Sequence, residues 1–151
     1  MAKWLDIALY KSMIRIVRSV KLDDLKPVDD LSNHTSSAVD LKTVLNQIKT
    51  FWIQLSWPDV ETSYVFISRI MDDVCKAIIF YAEKMCMKAE DQKRSGTCQN
   101  AMVDCSAEQC LAINNIDLVM SFMNPFISDL GIDSVLNKLE QQNGGRKNRV
   151  V

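Results

Sequence analysis

VETSYVFISRIMDDVCKAIIFYAEKM, residues 60–85, is the stretch that decides the fold. Its apolar side chains recur at alternating steps of four and three residues: Val60, Tyr64, Ile67, Met71, Val74, Ile78, Tyr81 and Met85. This heptad spacing predicts one continuous helix that packs against partner helices along its whole length. At a rise of about 1.5 Å per residue the helix is about 40 Å long, which is typical of a strut in a helical bundle or rod.

A first helix is predicted over residues 2–20, where two neighbouring apolar stripes predict a broad buried face. One stripe contains Leu5, Leu9, Met13, Ile16 and Val20, and the other contains Ile7, Tyr10, Ile14 and Val17. The side left for water carries Lys11, Arg15 and Arg18 at spacings of four and three, which form a basic ridge. The ridge is either a solvated face or a contact for an acidic partner.

A second helix is predicted to begin at residues 36 and 37, where a serine hydroxyl can cap the free amides after a connector that contains Pro27. Its buried line is Leu41, Leu45, Ile48, Trp52 and Leu55, reinforced by Val44 and Phe51. Asn46 and Lys49 fall on the opposite side of this helix. We therefore expect both side chains to face solvent.

Turn signals divide the rest of the chain. The SWPD turn at residues 56–59 separates the second helix from the heptad helix, with Ser56 as a cap, and residues 90–104 read as a loop. Ser106 and Gln109 resemble a capping box that opens a fourth helix, whose predicted inward line is Ile113, Ile116, Met120 and Met123. Pro125 is expected to divide it from a fifth helix. The sequence thus predicts an all-α, elongated helical bundle or rod of about five helices over residues 1–143, followed by a disordered tail at residues 144–151.

Composition argues against several classes of function. Eighteen basic and nineteen acidic residues give a net charge of −1, so the chain lacks the electrostatic footprint of a nucleic-acid binder. His34 is the only histidine, which rules out a histidine-based triad or a multi-histidine metal site. The five cysteines have no Cys-x-x-Cys pair and fit reduced thiols. We expect no catalytic residue, no metal site and no cofactor.

Targeting signals are missing from the sequence as read. The first residues lack the apolar stretch of a signal peptide, and no run approaches the ~18 apolar residues that a membrane span needs. We expect a cytoplasmic location.

Six short blocks occur in a recognisable order: WLDIA at residues 4–8, PVD at 27–29, SSAVD at 36–40, QLSWPD at 54–59, IMDDVC at 70–75 and AINNI at 112–116. In this order and spacing they resemble the MUN domain, the first homology region of the Munc-thirteen, CAPS and brain-angiogenesis-inhibitor-associated family of secretory priming factors. The resemblance covers residues 4–124.

The resemblance implies a helical rod, similar to vesicle-tethering subunits, that brings vesicle and plasma membranes together and promotes SNARE assembly without an enzymatic step. The implied partners are syntaxin, the assembled SNARE complex and neighbouring helices of a longer protein. Contact with the secretory vesicle or plasma membrane is expected to be peripheral and indirect, through flanking domains. The alternative is a helical subunit or adaptor of another membrane-trafficking tethering complex without SNARE specificity.

One family contact can be compared residue by residue. Some members use an exposed Asn-x-x-Phe pair upstream of the Pro-Asp turn to bind syntaxin. Aligned on Pro58 and Asp59, this chain has Asn46 at the first position but Lys49 at the second, so the pair is half present. The candidate partner-binding residues are therefore Asn46 and Lys49, together with the ridge of Lys11, Arg15 and Arg18.

Overall fold

The computed structural model describes residues 2–95 and 105–147, and these ranges form helices joined by short connectors, with no strand among them. The helices are α1 (Ala2–Leu22), α2 (Ser36–Leu55), α3 (Val60–Ser95), α4 (Ala107–Asp129) and α5 (Ile132–Lys147). The predicted all-α class is confirmed. Because only Leu130 and Gly131 separate α4 from α5, the bundle can also be counted as four helices, the last of them broken.

The central strut is α3, which spans 36 residues and is about 54 Å long at ~1.5 Å per residue. Helices α1, α4 and α5 pack on it, and α2 lies between α1 and α4. The predicted heptad line is buried from Ile67 to Met85 except for the half-buried Met71, whereas Tyr64, near the start of the helix, is 40% exposed. The pattern of apolar residues therefore predicts the middle of α3 correctly and overestimates burial at its N-terminal end.

A buried set of polar side chains, here called the polar clamp, ties the α1–α2 connector to α3 and α4. It consists of Asp23, Thr35, Ser37, Tyr81 and Asn115. The Asn115 side chain accepts a bond from the Thr35 N–H at 2.8 Å and donates one to the Thr35 hydroxyl at 2.8 Å. The Ser37 and Tyr81 hydroxyls lie 2.9 Å apart, and burial raises the pKa of Tyr81 far above its usual value. The clamp positions the start of α2 against the core.

The clamp also changes the predicted cap of α2. The Thr35 hydroxyl donates to the Asp23 carboxylate, which also accepts a bond from the Ser37 N–H at 3.1 Å. Asp23 thus supplies the oxygen that a serine hydroxyl at residues 36 and 37 was expected to supply. A carboxylate is a suitable group here because it faces the positive end of the helix dipole.

The turn before α3 is capped by a different residue from the predicted one. Ser56 lies at the C-terminal end of α2 with a φ of 45°, and the Asp59 carboxylate accepts a bond from the Thr62 N–H at 2.7 Å. Asp59 is therefore the cap of α3, and the prediction for Ser56 is wrong. Three residues separate Ser56 from Val60, so its hydroxyl is too far along the chain to serve the first turn.

The buried face of α4 is shifted by one position from the predicted line. Its buried residues are Ala112, Asn115, Val119, Met123 and Phe126. Ile113 and Met120 are 58% and 54% exposed, so the prediction is wrong for both and right for Met123. Asn115 explains the shift, because a reading based on apolarity assigns an asparagine to the outside. The predicted capping box of Ser106 and Gln109 is confirmed.

Gly131, not Pro125, separates the last two helices. Pro125 lies inside α4, and the chain turns at Gly131, which adopts a φ of 79° that glycine tolerates best. Proline removes one backbone donor and its ring presses on the carbonyl four residues earlier, which can kink a helix without ending it, whereas a left-handed residue redirects the chain. Helix α5 continues to Lys147, four residues past the predicted boundary at 143, and residues 148–151 lie outside the described part of the chain.

The stretch Ala107–Gln142 contains an 18-residue segment with a mean hydropathy of 1.3, and it is long and apolar enough to cross a membrane, judged by length and composition alone. The apolar runs of the sequence predict no membrane span, and this stretch differs from that prediction. Only 28% of the apolar 18-residue segment is buried, so part of its apolar surface faces outward. Its polar anchor, the buried Asn115 that bonds to Thr35, is typical of a helix in a protein bundle.

The predicted broad buried face of α1 is only half correct. The first stripe faces the core, with Leu5, Ile16 and Val20 buried. The second stripe is exposed: Ile7 by 52%, Tyr10 by 67%, Ile14 by 50% and Val17 by 46%. Lys88 of α3 fixes the position of α1 by donating to the Val20 carbonyl at 2.6 Å and the Lys21 carbonyl at 3.2 Å. One face of α1 is thus held to α3 while the opposite face remains uncovered.

Candidate functional site

Within residues 2–95 and 105–147 the structure brings together no group of three or more His, Cys, Asp and Glu side chains that could hold a metal ion. His34 lies half-buried in the α1–α2 connector, where its carbonyl accepts a bond from the Val28 N–H at 3.0 Å. Cys75, Cys86 and Cys110 are exposed thiols, and Cys98 lies outside the described residues. The remaining candidate residues lie on the surfaces of the helices.

The basic ridge lies on α1 where that helix meets α2. Lys11, Arg15 and Arg18 are all exposed, as their spacing predicts. The Arg15 guanidinium donates to the Gln47 side-chain oxygen at 2.8 Å, so the ridge borders α2 directly. The structure thus places the ridge beside the helix that carries Asn46.

A groove runs between α1 and α2, here called the α1–α2 groove. At one end it encloses about 370 Å³ above the stacked rings of Trp4 and Phe51, whose centroids are 4.0 Å apart. Further along it encloses about 220 Å³ between Arg15, Arg18 and Asp40. The groove therefore has an aromatic floor at one end and charged walls at the other.

Asn46 lies half-buried on the outer side of α2, beside a concavity of about 350 Å³. The lining residues are Thr43, Asn46, Gln47, Thr50, Phe51 and Gln54. Phe51 is 38% exposed, so its prediction as a buried residue is wrong. The aromatic ring closest in sequence to Asn46 is thus Phe51, which reaches both the concavity and the α1–α2 groove. The apolar pattern of α2 assigns Phe51 to the core because the pattern does not distinguish a buried large apolar side chain from an exposed one.

Lys49 does not face open solvent as predicted. Its side chain is 16% exposed, and its ammonium lies 2.6 Å from the Asp129 carboxylate and 5.7 Å from the centroid of the Phe122 ring. Both partners belong to α4. Residues three apart on a helix point about 60° from each other at 3.6 residues per turn, so α4 covers Lys49 while Asn46 stays accessible. The predicted Asn46–Lys49 pair is therefore split between two surfaces.

Comparison with curated proteins identifies related sequences. Protein unc-13 homolog 4B of Drosophila melanogaster is 41% identical over 136 residues, which cover 90% of this chain. The chain belongs to the unc-13 family. BAI1-associated protein 3 of Mus musculus is 32% identical over 116 residues, 77% of this chain, and protein unc-13 homolog D of Homo sapiens is 29% identical over 118 residues, 76% of it. The resemblance predicted from the ordered sequence blocks is confirmed.

This unc-13 chain spans about a tenth of the length of these relatives: 12% of unc-13 homolog 4B, and 10% each of BAI1-associated protein 3 and unc-13 homolog D. No protein-family model matches the chain, and no solved structure matches it. Family membership therefore rests on the sequence similarity to these relatives.

Proposed function

We propose that this unc-13 segment is a non-enzymatic scaffold of a vesicle-priming factor in regulated exocytosis, and that it binds syntaxin or the assembled SNARE complex. Its place of action is the cytoplasmic surface of a secretory vesicle or the plasma membrane, with membrane contact made by other parts of a longer protein. Membership of the unc-13 family is the observation that carries the proposal.

The shape of the α1–α2 surface supports binding of a helical partner. A helix that binds in a groove lays its apolar face between two helices and keeps polar contacts at the edges. The α1–α2 groove offers Trp4 and Phe51 on its floor and Arg15 on its wall. The α3 strut beneath holds α1 in place, so the surface is preorganised and little ordering free energy is lost on binding.

Asn46 suits the role of a polar anchor. Its carboxamide carries two N–H donors and a carbonyl acceptor, so it can donate a hydrogen bond to a partner and accept one from it. It lies in the concavity that Phe51 also lines, which joins a polar contact to an apolar one. Lys49 faces α4 instead, where its ammonium pairs with the Asp129 carboxylate.

Promotion of SNARE assembly requires no bond-making step. A protein that binds one conformation of its partner more tightly shifts the partner's equilibrium toward that conformation by its differential affinity. A tenfold preference corresponds to about 1.4 kcal/mol. This unc-13 segment would act by such a preference and would itself dissociate unchanged.

The test is isothermal titration calorimetry of the folded chain against syntaxin and against the assembled SNARE bundle at physiological salt. Asn46→Ala is expected to weaken binding about tenfold, through loss of the polar anchor. Asn137→Ala, on the exposed side of α5, is the matched control and is expected to leave the Kd unchanged.

Two results would contradict the proposal at different levels. Equal binding by wild type and Asn46→Ala moves the contact away from the α2 surface. Failure of the folded chain to bind either partner removes the SNARE assignment and favours an adaptor role in another tethering complex. Lys49→Ala is interpreted only beside Asp129→Ala, because both break the same ion pair.

A further inference from the structure

Helix α1 has a second apolar face, here called the outer stripe, on the side opposite the core. It consists of Ile7, Tyr10, Ile14 and Val17. These residues follow the steps of three and four that also mark the buried line of α3. A helix that is apolar on two faces is normally covered on both. The outer stripe is therefore a surface without its cover among the described residues.

The spacing of the outer stripe specifies the shape of the cover. Side chains at positions 7, 10, 14 and 17 occupy the two seam positions of a heptad, which interlock with the seam of a second helix. A contiguous exposed apolar patch on a folded protein often marks an interaction site, whereas single scattered apolar residues on the surface are normal. A partner helix that runs along α1 fits this geometry.

The charges around the outer stripe specify the chemistry of the cover. Lys3 and Lys21 continue the line of the stripe, four residues before Ile7 and four after Val17. Lys11 and Arg18 follow Ile7 and Ile14 by four residues and border the stripe on its α2 side. These flanking positions select partners of opposite charge in paired helices. A helix with acidic residues beside its seam is therefore favoured.

The one acidic residue of α1 does not offset this basic border. The Asp6 carboxylate lies 2.6 Å from the Arg69 guanidinium of α3, so its charge is already paired with a cation on the surface of the bundle. Arg15 on the same border is bonded to the neutral Gln47 and keeps its charge. Asp40 of α2 lines the same hollow as Arg15 and Arg18, on the opposite wall.

We propose that the outer stripe of α1 binds an amphipathic helix from outside residues 1–151, one with an apolar heptad seam flanked by glutamate or aspartate. The inference goes beyond the SNARE assignment, because designed peptides test it without syntaxin, although Ile7 and Lys11 also line the α1–α2 groove. The partner is defined by its chemistry: it has an apolar seam, and it carries acidic residues on the side that faces Lys11 and Arg18.

The probes are two synthetic 21-residue helical peptides with the same leucine seam. One peptide carries glutamate at every flanking position and the other carries lysine. Fluorescence anisotropy with the full chain is expected to give at least tenfold tighter binding of the glutamate peptide. The preference is expected to narrow as salt is raised, because the flanking ion pairs are exposed and screened.

A charge swap makes the test specific. Lys11→Glu combined with Arg18→Glu leaves Lys3, Arg15 and Lys21 in place and is expected to remove most of the preference for the glutamate peptide. Ile14→Ser is expected to weaken both peptides. Ile79→Ser is the matched control, since Ile79 is 60% exposed on α3 and lies outside the stripe. Circular dichroism confirms that each variant is folded, and all substituted side chains are exposed.

Three outcomes overturn the proposal. Equal binding of both peptides, or a preference that the charge swap does not change, removes the acidic-helix partner. Self-association in sedimentation that Ile14→Ser abolishes, without peptide discrimination, assigns the stripe to a second copy of the chain. Binding to phosphatidylserine vesicles that depends on Ile14 while neither peptide binds assigns it to a membrane surface.

Discussion

The polar clamp and the outer stripe of α1 are opposite exceptions to the usual distribution of residues. The clamp buries Asp23, Thr35 and Asn115 in the bundle, and the outer stripe leaves Ile7 and Ile14 about half exposed. No buried side-chain nitrogen or oxygen among the described residues lacks a hydrogen-bond partner. The buried polar side chains thus have hydrogen-bond partners within the fold, whereas the apolar side chains of the outer stripe are left about half exposed.

This difference separates stability from binding. A satisfied buried polar group destabilises the fold when its partner is removed, because a desolvated donor or acceptor is left unpaired. An exposed apolar side chain contributes little to folding and gains its free energy only when a partner covers it. Substitutions in the clamp should therefore change the free energy of unfolding, and substitutions in the outer stripe should change binding.

The largest expected effect comes from a comparison of Ile16 with Ile14 of α1. Ile16 is 1% exposed and Ile14 is 50% exposed on the same helix. Ile16→Ala is expected to lower the free energy of unfolding by about 3 kcal/mol through lost burial and a cavity. Ile14→Ala is expected to change it by less than ~0.5 kcal/mol. Urea unfolding followed by circular dichroism measures both, and equal effects would show that the outer stripe is covered in solution.

Asn115 and its neighbour Asn114 test the clamp in the same way. Asn115 is fully buried and bonded to Thr35, and Asn114 is exposed. Asn115→Ala is expected to cost about 2 kcal/mol, because the Thr35 N–H loses its partner. Asn114→Ala is expected to be neutral. If urea midpoints of the two variants coincide, the clamp does not stabilise the fold.

Tyr81 and Tyr10 compare one hydroxyl in each region. Tyr81→Phe removes the buried bond to Ser37 and is expected to cost about 1 kcal/mol of unfolding free energy. Tyr10 is 67% exposed, so Tyr10→Phe is expected to leave stability unchanged. Thermal melts of the two variants provide the measurement. A Tyr81→Phe variant as stable as wild type would indicate that the Ser37 hydroxyl finds another partner.

The smallest effect is the pH dependence of an exposed helix cap. Hydrogen bonds from Thr62, first its side chain and then its backbone N–H, hold the pKa of Asp59 below its usual value. The stabilisation by Asp59 is therefore present above the pKa of the unfolded chain, about 3.9, and is lost as pH falls through the lower folded value. Asp59→Asn should flatten the acid limb of a stability profile slightly. An unchanged limb would mean that other carboxylates set it.

Local periodicity predicts much of the fold and less of the candidate site. The buried line from Ile67 to Met85 and the capping box at Ser106 follow from short-range patterns, and both are confirmed. Asn46 is accessible but Lys49 is not, because α4 brings Asp129 and Phe122 against one of them. Position 129 is eighty residues from Lys49, and no local pattern encodes that contact.

The sequence by itself determined the all-α class, the α3 strut and membership of the unc-13 family, because spacing within one helix and ordered short blocks are local properties. Only the tertiary structure decided which apolar face of α1 enters the core and which becomes the outer stripe. Two stripes of similar apolarity are equivalent until a neighbouring helix covers one of them. Here α3 covers the stripe of Leu5 and Ile16, and its Lys88 holds the end of α1 in that orientation.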